Sequence, residues 1–237
     1  MSGHSKWSKI KRAKGLNDAK KGAVFTKLGK LLVIAARGGA DPDSNFTLRM
    51  AIDKARLANM PKDNIDRAIK KGAGGSNENI IEELVYEGIG PDNSQFIFKC
   101  LTDSRNRTAA NIRHLFAKFG GSLTPVGWNF EQKGVIMIGI DSLKNNDWEE
   151  LQLELIDLNI DDAIKEDEGI TIYTQPKDLQ KIKQFLEGKG INTESAETEY
   201  VAKEKKDPGQ ARERIEKFIE ALDEDEDVES YYTNIEI

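Results

Sequence analysis

Residues 162–174 read DAIKEDEGITIYT, in which an Asp-Glu-Gly run separates two short segments of strand-forming residues. This pattern predicts a β-hairpin with strands over 162–166 and 170–174. A strand and a helix are predicted before the hairpin, and a helix and a strand after it. These flanking elements span 135–140, 147–158, 176–186 and 191–201. The order β-α-β-β-α-β is that of the ferredoxin-like split motif.

The sequence outside this motif predicts a helical domain and a second sheet. Apolar residues recur at helical spacing in three stretches between residues 17 and 75, and a glycine-rich linker at 72–77 follows. Strands are predicted at 80–86, 95–101 and 128–130, with a helix at 108–119. A helix at 210–222 and a strand at 231–237 have no local partner, so we expect them to complete the sheet begun at 80–130.

We therefore predict an α+β multidomain protein. A three-helix domain over 1–75 is followed by two α/β domains, the third of them ferredoxin-like and inserted in the second. Domain II takes 80–132 plus 205–237, and domain III takes 133–204.

Charge is segregated along the chain. The protein has a formal net charge of −6, yet residues 1–75 hold 17 basic and 6 acidic side chains. A basic module in an acidic protein is typical of a protein that meets a polyanion. The acidic remainder would be repelled by nucleic acid, so we expect it to face away or to contact a protein partner.

The basic segment, defined here as residues 1–21, holds seven Lys or Arg against the single acid Asp18. Trp7 lies among these cations, and an aromatic ring there predicts stacking on bases or wedging against sugars. The first sixteen residues offer few apolar groups, so we expect them to be mobile until a partner arrives. The alternative is a solubilising tail. The predicted nucleic-acid-binding residues are His4, Lys6, Trp7, Lys9, Lys11, Arg12, Lys14, Lys20, Lys21 and Lys27.

Two other cationic groups are weaker candidates. In the third helix, the i,i+4 spacing of Lys62–Asp66, Asp63–Arg67 and Asp66–Lys70 predicts mutual neutralisation. A solvated face is therefore at least as well supported there as a phosphate site. Arg105 and Arg107 lie at a predicted helix start, which makes them secondary anion-site candidates. Capping with ordinary surface arginines explains them equally well.

Catalytic patterns are weak. His4 and His114 are the only histidines, and neither belongs to a metalloprotease, hydrolase or metal-loop motif. The acidic run 223–227 fits a solvated connection better than a cation site. Cys100 is the single cysteine, which excludes a disulfide framework. We expect no enzyme activity, no cofactor and no metal, a cytoplasmic location without membrane contact, and a monomer.

Several motifs together resemble the YebC/PmpR family over nearly the whole chain. They include Gly3-His4-Ser5-Lys6-Trp7, Ala36-Arg37-Gly38-Gly39, Asn59-Met60-Pro61-Lys62-Asp63-Asn64-Ile65, Tyr86-Glu87-Gly88 and Leu101-Thr102-Asp103. The resemblance implies a helical domain and two α/β domains, the third inserted in the second. It also implies a non-enzymatic, DNA-binding transcriptional regulator. A mitochondrial relative activates translation of cytochrome c oxidase, and bacterial members are linked to ribosomes stalled on proline-rich stretches.

The sequence thus predicts a nucleic-acid-binding regulator, with DNA and ribosomal RNA both open as targets. An enzyme acting on nucleic acid and a purely protein-binding adaptor are the alternatives. The enzyme requires a metal or acid/base cluster that the sequence does not offer. The adaptor requires that loss of residues 1–21 leave nucleic-acid binding unchanged.

Overall fold

The computed structural model describes Trp7 and residues 18–74, 80–143 and 147–236, with only the backbone described for residues 18–21. These residues form seven α-helices and eight β-strands. The helices are α1 (Asp18–Ala36), α2 (Phe46–Leu57), α3 (Lys62–Ala73), α4 (Arg105–Lys118), α5 (Trp148–Asp157), α6 (Leu179–Gly188) and α7 (Arg212–Glu224). The strands are β1 (Glu82–Ile89), β2 (Gln95–Thr102), β3 (Ser122–Leu123), β4 (Phe130–Gly139), β5 (Asp162–Lys165), β6 (Gly169–Thr174), β7 (Ser195–Ala202) and β8 (Val228–Thr233).

The first sheet has the strand order β3-β1-β2-β8. Strand β8 pairs antiparallel with β2, with Phe98 opposite Tyr231. The C-terminal strand therefore returns to the sheet that β1 begins, as predicted, and β4 to β7 are inserted between. Phe218 of α7 packs against Phe96 of β2 and Phe116 of α4, with ring centroids 5.0 and 4.9 Å away.

The second sheet has the strand order β5-β6-β4-β7. This is the ferredoxin-like arrangement, and the predicted β-α-β-β-α-β order is confirmed. The hairpin closes where Glu166 N–H donates to the Gly169 carbonyl at 2.8 Å. The last strand begins at Ser195, four residues later than predicted, and α6 follows a short 3₁₀ turn that starts on Pro176.

The three N-terminal helices share one core, in which Leu32 of α1, Leu48 of α2 and Ile65 of α3 are buried. Asn45 caps α2 by accepting the Leu48 N–H at 3.1 Å. Helix α3 lies very close to α1 at Gly72, where an added Cβ would stand 2.3 Å from the Val33 carbonyl oxygen. Glycine is therefore required at this helix crossing.

The predicted strand over 128–130 is wrong at its start. Gly127–Asn129 form a 3₁₀ turn, and β4 begins only at Phe130. The Glu87 carboxylate determines this, because it accepts the N–H groups of Val126 and Gly127 at 2.6 and 2.7 Å. The turn leaves the Trp128 side chain 65% exposed.

The chain divides into two compact units, one of residues 12–130 with 202–237 and the other of residues 1–11 with 131–201. The proposed division at 1–75, 80–132 plus 205–237, and 133–204 stays a prediction. Among the described helices, none is both long and apolar enough to cross a membrane.

Candidate nucleic-acid interface

Trp7 is the one predicted contact residue of the first seventeen that the structure describes, and it is buried rather than exposed. Only 4% of its surface is accessible. Its indole packs in one cluster with Val135, Met137 and Tyr173 of the second sheet. A ring held there is not available to stack on a base. The expectation of an exposed Trp7 is therefore corrected, because the sheet supplies an apolar surface that the sequence around residue 7 does not reveal.

Lys27 is also engaged within the chain. Its Nζ donates to the Asp223 carbonyl at the end of α7, at 2.6 Å. Burial lowers the pKa of this ammonium group, and the nearby carboxylates of Asp223 and Asp225 act in the opposite sense. Lys27 was predicted to bind nucleic acid, and the structure shows its ammonium group in a hydrogen bond within the chain. The interpretation of 223–227 as a solvated connection holds for the exposed Asp223, Glu224 and Glu226 but not for Asp227, which is buried and contacts Lys30 of α1.

Asp227 is the centre of that contact. Its carboxylate, 6% exposed as a residue, accepts from Lys30 Nζ at 2.8 Å and from Thr108 Oγ1 at 2.7 Å. Burial alone would raise the pKa of Asp227, but these two hydrogen bonds and the positive charges of Lys30 and Arg107 together lower it. Lys54 of α2 makes a second such link, to Glu229 at 2.8 Å. The cations of α1 and α2 therefore hold the helical domain on the first sheet.

The predicted secondary anion site is already neutralised by carboxylates of the chain. Arg105 pairs with Glu82 at 2.8 Å, and Arg107 pairs with Asp103 at 2.8 Å. The hydrogen bond to Asp103 raises the pKa of Arg107, and the Asp227 carboxylate adds to this effect. An incoming anion would have to compete with these carboxylates, which argues against a site here.

Helix α3 differs from the other cationic elements of the helical domain. Lys62, Arg67, Lys70 and Lys71 are all exposed, and among the described residues none of them has an ion-pair partner within 4.0 Å. We refer to these four side chains as the α3 cations. The predicted i,i+4 pairs with the two acids of the helix do not form. Exposed pairs of this kind gain little free energy, so the side chains are free to point into water.

The exposure of the α3 cations was underestimated from the sequence, because i,i+4 pairing with Asp63 and Asp66 was expected. The apolar spacing already assigned Ile65, Ala68 and Ile69 to the buried side, and Ile65 is 5% exposed. That spacing alone places the polar positions of α3 outward. The outward position of the α3 cations was therefore predictable from the apolar spacing, but the expected ion pairs made them look neutralised.

Several predicted nucleic-acid-binding residues lie outside the described part of the chain: His4, Lys6, Lys9, Lys11, Arg12 and Lys14. Lys20 and Lys21 lie on α1, but only their backbone is described. Their roles stay predictions.

Within the described residues, no group of three or more His, Cys, Asp or Glu side chains is arranged to hold a metal ion. His114 is exposed on α4. Cys100 is fully buried, and burial, assisted by Asp225 and Asp227, raises the pKa of its thiol to about 12. The thiol is therefore protonated at neutral pH.

Comparison with known proteins identifies the family. Residues 5–75 match the model of the TACO1/YebC protein N-terminal domain, and residues 81–235 match that of the TACO1/YebC second and third domain. The chain belongs to the TACO1/YebC family. The match includes both the α3 cations and the two sheets described above.

Individual relatives of this TACO1/YebC protein are similar over their full length. A "Probable transcriptional regulatory protein" from Desulforamulus reducens is 43% identical over 241 residues, covering 100% of this chain and 99% of the relative. One from Bacillus licheniformis is 43% identical over 240 residues, covering 99% and 100%. The crystal structure of a conserved hypothetical protein from Aquifex aeolicus superposes with a TM-score of 0.81 at 37% identity, covering 93% of this chain and 92% of that one. At family level, the relatives are thus named as regulators.

Proposed function

We propose that this TACO1/YebC protein binds nucleic acid through its helical domain and regulates gene expression in the cytoplasm without catalysing a reaction. The α3 cations carry the proposal, because they are four exposed positive charges that form no ion pair within 4.0 Å with any residue the structure describes. Phosphate contacts from such cations release counterions and supply most of the affinity of a non-specific complex. The seven cations of the basic segment would add to them.

DNA is the target favoured by the relatives' names as transcriptional regulatory proteins. Folded RNA, and with it a role in translation on the ribosome, is supported by a different observation. Asp63 and Asp66 are exposed on the same helix as the α3 cations. A helix that reads the major groove lies close to phosphates on both sides, where these acids would be repelled. A cationic surface that touches one side of an RNA tolerates them better.

Replacing all four α3 cations by glutamine tests the proposal. A matched control replaces four exposed lysines elsewhere, Lys165, Lys177, Lys181 and Lys205, and so makes the same change in net charge. Binding to fluorescent duplex DNA and to a ribosomal RNA fragment is measured by anisotropy. The α3 variant should bind at least roughly tenfold more weakly than the native protein, as expected for the loss of several phosphate contacts. An equal loss in the control would show that only net charge matters and would contradict the proposed site.

The target is resolved by sedimentation of the native protein in lysate. Co-migration with ribosomes that survives DNase and is lost in the α3 variant supports translation. Enrichment at duplex sites without ribosome association supports transcription. Turnover of DNA or RNA that a carboxylate substitution abolishes would instead indicate an enzyme.

A further inference from the structure

The surface that receives Trp7 has a definite chemistry. Val135 and Met137 lie two residues apart on β4, and Val135 is paired with Tyr173 of β6. Alternate residues of a strand point to the same face, so these side chains form one apolar patch. Ile164 of β5 and Val201 of β7 pack against the same cluster. We call this the Trp7 face of the second sheet. The opposite face carries Ile136 and Ile138, which are fully buried.

Acidic side chains border the Trp7 face. Glu197 and Glu199 precede Val201 at intervals of two along β7, so they point to the same side as Val201. Glu166 follows Ile164 by two residues, just beyond the end of β5. An apolar centre with an acidic border fits a segment that combines an aromatic ring with cations.

The basic segment has this composition, and covalent geometry limits the distance of its nearest cations from Trp7. Lys6 adjoins Trp7, and Lys11 is four residues away, so their Cα atoms lie within about 14 Å of that of Trp7. Strand β7 is the neighbour of β4, at a spacing of about 5 Å. Chain connectivity therefore limits how far Lys6 and Lys11 can lie from the anchoring Trp7.

The contact is also imperfect in one respect. Trp7 Nε1 and Thr171 Oγ1 are both buried without a hydrogen-bond partner. Thr171 lies opposite Met137 in the β4–β6 pairing, so it belongs to the Trp7 face. Buried polar atoms without partners disfavour the docked state relative to one in which water reaches them. The anchor therefore combines a large apolar contact with a built-in penalty, as expected of a contact that opens.

We propose that the Trp7 face is an internal binding site for residues 1–11 of the basic segment, and that docking there competes with nucleic-acid binding by these residues. The acidic border and the phosphates of a nucleic acid would attract the same cations, and they cannot hold them at once. The proposal rests on the proposed function, to which it adds regulation by the chain's own acidic domain. In this proposal Trp7 opposes nucleic-acid binding, whereas a tryptophan that stacks on bases would strengthen it.

The docking itself is tested in a full-length protein whose only tryptophan is Trp7, through Trp128→Phe and Trp148→Phe. In the free protein, Trp7 emission should be blue-shifted and protected from acrylamide. Saturation with a 20-bp duplex DNA or a folded ribosomal RNA fragment should make it several-fold more accessible. Full accessibility in the free protein would overturn the docking, and protection that persists in the saturated complex would overturn the competition. Failure of both probes to bind would overturn the proposed function, and the competition with it. A protected Trp7 in the free protein would still support the docking.

Substitutions of Trp7 distinguish a residue that holds the segment on the sheet from one that stacks on a base. If the segment is docked about nine-tenths of the time, Trp7→Ala should bind both probes roughly tenfold more tightly, because apparent affinity scales with the fraction of competent protein. Trp7→Phe keeps an apolar ring without the unpartnered N–H, so its affinity should not exceed that of the native protein. Trp128→Ala removes an exposed tryptophan and should leave binding unchanged. Weaker binding by Trp7→Ala is the result expected of a stacking residue and would refute the proposal.

Discussion

Replacing Asp227 by asparagine should loosen the helical domain from the first sheet. The native carboxylate is 6% exposed and accepts from Lys30 of α1 at 2.8 Å, from Thr108 at 2.7 Å and from Arg107 at 3.4 Å. Removing one partner of a buried ion pair costs about 3–5 kcal/mol, because the other charge is left unpaired. The Lys30 side chain is 19% exposed and can recover some hydration. We therefore expect a loss of about 3 kcal/mol.

Thermal and urea unfolding at neutral pH measure this loss. For a protein of this size, 1 kcal/mol corresponds to about 2–4 °C, so the melting temperature should fall by roughly 6–12 °C. Glu226→Gln is the matched control, since its carboxyl group is exposed and the change in charge is the same. It should alter stability by no more than about 0.5 kcal/mol. The reasoning is refuted if both variants lose the same free energy, or if Asp227→Asn unfolds like the native protein.

The pH dependence of the stability provides a second test of the contact between Asp227 and Lys30. The pKa of Asp227 is lower in the folded chain than in an unfolded one, where it lies near 4. Its stabilising contribution is therefore complete above the unfolded pKa and is lost as the pH falls through the folded one. The stability difference between native protein and Asp227→Asn should shrink below about pH 4. A difference that stays constant down to pH 2 would contradict the assignment.

Three further outcomes follow from buried contacts. Burial alone would raise the pKa of Glu229, but the interactions led by the Lys54 ammonium group 2.8 Å away lower it to about 2. The native protein should therefore lose stability between pH 4.5 and 2, and Glu229→Gln should lose less, as measured by urea unfolding. Gly72→Ala would place a Cβ 2.3 Å from the Val33 carbonyl oxygen, so it should cost about 1–3 kcal/mol and separate α3 from α1, which chemical-shift changes would report. Cys100, with a thiol pKa of about 12, should react with iodoacetamide at pH 8 only on unfolding, and fast labelling of the folded protein would contradict its burial.

The fold was predictable from the sequence where the signals are local. The Asp167-Glu168-Gly169 turn between two short strand-forming segments identified the hairpin, and helical spacing of apolar residues identified α1 to α3. The return of β8 to the first sheet followed because a C-terminal strand had no partner nearby. The Gly127–Asn129 turn was missed because Glu87, forty residues away, holds it.

The candidate site was less predictable because its contacts are not local. Lys27 reaches a carbonyl 196 residues further along the chain. Trp7 is buried by residues that follow it by more than a hundred positions. Pairing in α3 was inferred from spacing alone, yet exposed side chains gain too little from such pairs to be held in them. Trp7 and Lys27 are therefore engaged within the chain, whereas the α3 cations, which were expected to be paired, form no ion pair with any described residue.

The salt dependence of binding tests the central claim most directly. The affinity of the native protein and of the four-residue α3 variant for a 20-bp duplex DNA is measured between 50 and 200 mM salt. Each lost phosphate contact lowers the slope of log K against log salt by about 0.9, so the slope should be shallower by as much as about 3.6. An α3 variant with the slope of the native protein would show that these cations do not meet phosphates, and would contradict the account.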